Sequence, residues 1–94
     1  MSEKESFLKG KHILAVDDEA DVLETIEDLL VDSDVDTARD YESASQKIRG
    51  RKYDLAILDI MGVDGLQLLE ETVGRQIPTV MLTAHAISPD TLME

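Results

Sequence analysis

The chain has 94 residues, 43% of them hydrophobic and 32% charged, a balance that suits one small globular domain and excludes a disordered polymer. Nine basic residues against 21 acidic ones give a net charge of -12, which argues against nucleic acid as a direct ligand. Cysteine is absent, so disulfides and thiolate metal sites are excluded, and no apolar run is long enough to span a membrane. With no Trp, one Phe and two Tyr, the core must be aliphatic. The first residues lack the apolar centre of a signal peptide, so a cytoplasmic protein is expected.

Residues 1–10 mix charges and end at Gly10, which predicts a flexible tail whose Phe7 and Leu8 could fold back on the sheet. His12–Val16 is the first strand, running straight into Asp17, Asp18 and Glu19. Val22, Leu23, Ile26, Leu29 and Leu30 then form one helical stripe. Val35–Ala38 is a short second strand, and Tyr41, Ala44, Ser45 and Ile48 mark a second helix stopped by Gly50. Tyr53–Leu58, running on to the acid Asp59, reads as a strand buried on both faces. Gly62 and Gly65 bracket a tight loop. Leu66, Leu68, Leu69 and Val73 form a third helix that Gly74 ends. Thr79–Leu82 is a fourth strand closed by Thr83, and Ser88-Pro89-Asp90 starts a last helix. The apolar residues of the first and third helices are assigned to the core.

Strands alternating with helices imply an α/β fold with a parallel sheet covered on both faces. All strand ends of one polarity then share an edge, so Asp17, Asp18, Asp59 and Thr83 gather around one crevice. Three clustered carboxylates repel one another, and a hard divalent cation such as Mg2+ relieves that. A carboxylate beside Mg2+ can attack phosphorus and become an aspartyl phosphate. Taken singly, the acids at 17–19 also fit a helix N-terminus, and Asp59 also fits a turn.

The stretches Ile13-Leu14-Ala15-Val16-Asp17-Asp18-Glu19, Asp54–Asp59, Asp64-Gly65 and Pro78–Ala84 together resemble a response-regulator receiver domain of two-component signalling. The resemblance spans residues 11–94 and implies a flavodoxin-like doubly wound sheet of strand order 2-1-3-4, with the fifth strand and last helix missing from this chain. It implies that Asp59 accepts a phosphoryl group from a histidine kinase or phosphotransfer protein. Asp18 would ligate Mg2+ directly, Asp17 through water, and the Met61 carbonyl would add a further ligand. The Thr83 hydroxyl would bond the phosphoryl group and report it, and the Ala84 N–H would support the same group. Met61 and His85 match variable positions that tune phosphoryl lifetime. His12 and His85 are given no catalytic role.

Two departures stand out. The loop Ile60-Met61-Gly62-Val63-Asp64-Gly65 is shorter than the family's and lacks its Met-Pro pair. The family's fifth-strand lysine and switch aromatic have no counterpart here, which leaves strand four as an edge and a dimer through it as an expectation. The 94 residues are read as a piece of a longer chain, with a short self-completing protein as the alternative. Function is expected to be a phosphoacceptor switch and not a conventional enzyme, since any catalysis serves only its own phosphorylation and dephosphorylation. The alternative is a receiver-like protein-binding module without phosphorylation. A haloacid-dehalogenase-type phosphatase would need an acid where Met61 stands. A dinucleotide site would need a glycine fingerprint that is absent after strand one.

Overall fold

The computed structural model of the chain describes residues 9–60 and 63–82. It contains β1 (His12–Val16), α1 (Ala20–Leu29), β2 (Asp34–Ala38), α2 (Tyr41–Gly50), β3 (Leu55–Asp59), α3 (Gly65–Gly74) and β4 (Thr79–Leu82). The strands form one parallel sheet in the order β2-β1-β3-β4. This is the doubly wound α/β order implied by the resemblance. The chain moves one way from β1 to β2, then passes back across β1 to β3 and on to β4. Right-handed crossovers therefore place α1 on one face, and α2 and α3 on the other. Strand order reverses between β1 and β3, and the reversal opens a crevice at their carboxyl ends.

The larger core lies under α2 and α3. Leu14, Val16, Ala56 and Leu58 supply its sheet side, and Ala44, Ile48 and Leu68 come down from the helices. Leu14 lies beside Ala56 and Val16 beside Leu58 in the register, so these side chains share one face. Ile13, Ala15 and Leu23 are buried on the α1 side, outside that cluster. Two devices define the helix ends. The Asp40 side chain accepts a hydrogen bond from the Ser43 N–H at 2.8 Å and so caps α2. At the end of α3, the N–H groups of Gln76 and Ile77 bond the carbonyls of Val73 and Thr72 in a Schellman arrangement.

Several expectations are corrected. β3 is fully buried on one face only, because Leu55 and Ile57 on the other face are half-buried. Tyr53 precedes the strand and is buried in the loop before it. Leu29 is 76% exposed, Leu66 66% and Val73 62%, so the apolar residues of the first and third helices are not all core. Helical rotation explains this, since about 100° per residue carries Leu29 about 120° from Leu23, and Leu66 about 160° from Leu68. Gly74 is the last residue of α3, as expected, although it does not itself take the left-handed position. The left-handed position falls to Gln76, with φ 61°. The tail residues Phe7 and Leu8 and the helix expected from Ser88 lie outside the described residues.

Candidate functional site

Asp17 and Asp59 are neighbours across the strand reversal. Val16 pairs with Leu58, and each acid is the next residue along the chain, Asp17 just past β1 and Asp59 at the end of β3. Parallel strands lie about 4.8 Å apart, so both acids open into the same crevice. Both are deeply placed, with Asp17 0% and Asp59 1% exposed. Charged side chains are rarely so buried unless their surroundings compensate them.

The turn after β1 is held from several directions. The Asp17 N–H donates to the Ala38 carbonyl at 3.1 Å, which ties the end of β1 to the end of β2. Asp17 Oδ1 accepts from the Glu19 N–H at 2.8 Å, closing a tight Asx-type turn. Arg39 Nη2 donates to the Asp18 carbonyl at 3.0 Å. The carboxylates of Asp17, Asp18 and Glu19 converge, with ligand oxygens within 4.8 Å of one another. Glu19 occupies the N-cap position without a side-chain cap bond, and Asp17 Oδ1 accepts from the N–H of that cap residue.

On the β3 side, the chain passes from Asp59 to Gly65 under a close-approach constraint. A Cβ on Gly65 would overlap the Asp59 main-chain oxygen and sit 2.9 Å from the Ile60 Cα. Asp64 precedes it in the left-handed region at φ 54°, a conformation that Asp tolerates better than most residues. Gly65 at the start of α3 therefore lies directly against the end of β3.

Asp17, Asp18 and Asp59 thus reach one edge of the sheet. Met61, Gly62, Thr83, Ala84 and His85 lie outside the described residues. Two residues were missed as site members. Glu19 contributes a third converging carboxylate where the sequence suggested only a helix-start acid. Arg39 was passed over, although its position directly after strand two already places it on the same sheet edge.

The comparisons agree with this geometry. The family model for the response regulator receiver domain matches residues 13–93. A solved chain in which amino acids 181–211 of the yeast Spc42 trimeric coiled coil are fused to another structure is 33% identical, with a TM-score of 0.74. The match covers 92% of this chain and 61% of that one. NtrX from Brucella abortus, solved in complex with ATP, is 32% identical with a TM-score of 0.73 over 89% of this chain and 20% of its own. The present chain thus spans less than two thirds of either solved relative. A search of curated proteins finds no match. A buried acid pair at the strand reversal, the 2-1-3-4 parallel order and a match over residues 13–93 converge on one conclusion: the chain belongs to the response regulator receiver domain family.

Proposed function

We propose that the domain is the phosphoacceptor of a two-component signalling system and takes its phosphoryl group on Asp59. The observation that carries this reading is the burial of Asp59 at the end of β3, one strand from Asp17 at the point where strand order reverses. An Asp59 carboxylate oxygen attacks the phosphorus of a phosphohistidine on a kinase or phosphotransfer partner. An O–P bond forms and the N–P bond breaks, with the electron pair returning to the donor imidazole.

The donor set fits a divalent cation. It is made of carboxylate oxygens, with ligand atoms of Asp17, Asp18 and Glu19 within 4.8 Å of one another and Asp17 fully buried. Mg2+ takes such hard oxygen ligands beside phosphates, and when bound it offsets the charge that develops on the transferring group. Asp17 and Asp18 would hold the ion together with Asp59, and the family resemblance adds the Met61 carbonyl to that set. By the family resemblance, the Thr83 hydroxyl and the Ala84 N–H would bond the phosphoryl oxygens, and Thr83 would report the modification. The chemistry is confined to the domain's own phosphorylation and dephosphorylation, and its setting is the cytoplasm.

The test is intact mass after incubation with Mg2+ and a small acyl-phosphate donor. A gain of one phosphoryl group that disappears in Asp59→Asn is the expected result. Equal labelling of the Asp59→Asn chain would overturn the assignment.

A further inference from the structure

The opposite edge of the sheet carries a second candidate site. A cavity of about 410 Å³ lies below the amino end of β3, between the carboxyl ends of α2 and α3. Its volume falls within the range of small-ligand pockets. Ile48, Tyr53 and Ile77 give it a buried floor, while Arg51, Lys52 and Arg75 stand exposed around it. Three of the chain's nine basic residues therefore line one cavity in a molecule of net charge -12.

Arg51, Tyr53 and Asp54 in the wall are held by neighbouring groups. Arg51 Nη1 pairs with Asp36 at 2.6 Å, and its guanidinium lies 5.9 Å from the centre of the Tyr53 ring. The Tyr53 hydroxyl donates to the same Asp36 carboxylate at 2.7 Å. Asp54 is the one acid of the lining, and its Oδ2 accepts from the His12 N–H at 2.8 Å.

Gln76 supplies an independent sign. It takes φ 61° at a helix terminus where glycine would be unstrained, and it lines this cavity. A side chain kept at a left-handed position despite the steric cost points to a use for it. Its amide can donate hydrogen bonds to an acceptor oxygen.

We propose that this cavity binds a small organic anion, with a phosphate or carboxylate held by Lys52, Arg75 and the Gln76 amide and an apolar body resting on Ile48, Tyr53 and Ile77. The site is on the sheet edge opposite Asp59 and does not depend on the phosphoacceptor reading. Binding is weak, with Kd on the order of 1 mM for a minimal ligand.

The experiment is a nuclear magnetic resonance titration of the 15N-labelled chain with phenyl phosphate, inorganic phosphate and benzyl alcohol. Phenyl phosphate should move the amides of residues 51–54 and 75–77 saturably, and inorganic phosphate should do so more weakly. Benzyl alcohol should leave them in place. Lys52→Glu and Arg75→Glu should each weaken phenyl phosphate binding several-fold, and Gln76→Gly should weaken it without unfolding the chain. Unmoved amides, an equal response to benzyl alcohol, or affinity unchanged in both charge reversals would overturn the proposal. Shifts confined to the Asp17 and Asp59 edge would overturn it as well.

Discussion

The main chain of Asp59 is in contact with Gly65 so closely that no side chain fits between them. A Cβ at position 65 would overlap the Asp59 carbonyl oxygen and come within 3.0 Å of the Asp59 carbonyl carbon. Neither neighbour is the end of a flexible side chain, so the backbone itself must move. Gly65→Ala should cost about 1–3 kcal/mol of stability, the usual penalty for forced overpacking. It should also displace Asp59 and lower phosphoryl labelling in the fraction that remains folded. Denaturant unfolding gives the first quantity and intact mass the second. A variant as stable and as readily labelled as the parent would show that the contact is not required.

Arg39 tests whether the acid turn is held by geometry or only by charge. Its guanidinium bonds the Asp18 carbonyl at 3.0 Å. If Arg39 acted only as a cation near three carboxylates, its removal would tighten Mg2+ binding. Because it clamps the turn, Arg39→Ala should instead weaken Mg2+ binding by about two- to tenfold, the worth of one hydrogen bond. Titration calorimetry with Mg2+ reads the sign directly, and tighter binding would refute the clamp.

Gln76→Gly should stabilise the domain by about 0.5–1 kcal/mol. The left-handed conformation costs a side chain more than glycine, although glycine's freer unfolded chain returns part of the gain. Thermal or denaturant unfolding measures this. A loss of stability would mean that the Gln76 side chain makes a contact worth more than the strain.

Glu71 joins α2 to α3. Its carboxylate accepts from the Tyr41 hydroxyl at 2.5 Å and the Ser45 hydroxyl at 2.8 Å, with Arg49 at 3.8 Å. Burial pushes the Glu71 carboxyl up, but Tyr41, Ser45 and the nearby Arg49 outweigh it and hold it below its usual value. A depressed folded value contributes stability that is present above the unfolded carboxylate range and lost as pH falls through the folded value. Glu71→Gln should therefore flatten the acid limb of the stability curve. At the alkaline end, burial and the bond to Asp36 raise the Tyr53 hydroxyl well above its usual value. That contribution is present below the unfolded tyrosine value and lost as pH rises through the folded one, and Tyr53→Phe should remove it. Unfolding midpoints across pH check both signs.

Most of the architecture was legible in the chain because it rests on local chemistry. Alternating strands and helices, the apolar run of β3 and the acids at two strand ends required only periodicity and position. Parallel strands then brought Asp17 and Asp59 to one edge, since that follows from strand polarity alone. Other features depend on where backbones meet in space. The place of Arg39 after strand two gives its sheet edge, but the tie between β1 and β2 is what brings it to Asp18. Glu19 looks like a helix-start acid until the Asx turn at Asp17 swings its carboxylate toward its neighbours. Gly74 is the helix's last residue, as its position suggests, but the Schellman bonds pass the left-handed position to Gln76. Leu29, Leu66 and Val73 continue an apolar pattern, but rotation about the helix axis carries them off the sheet. Residue identity thus determined which elements form and which groups could react. Close approach, helix phase and loop closure, which depend on atoms distant in the chain, decided which of those groups share a site.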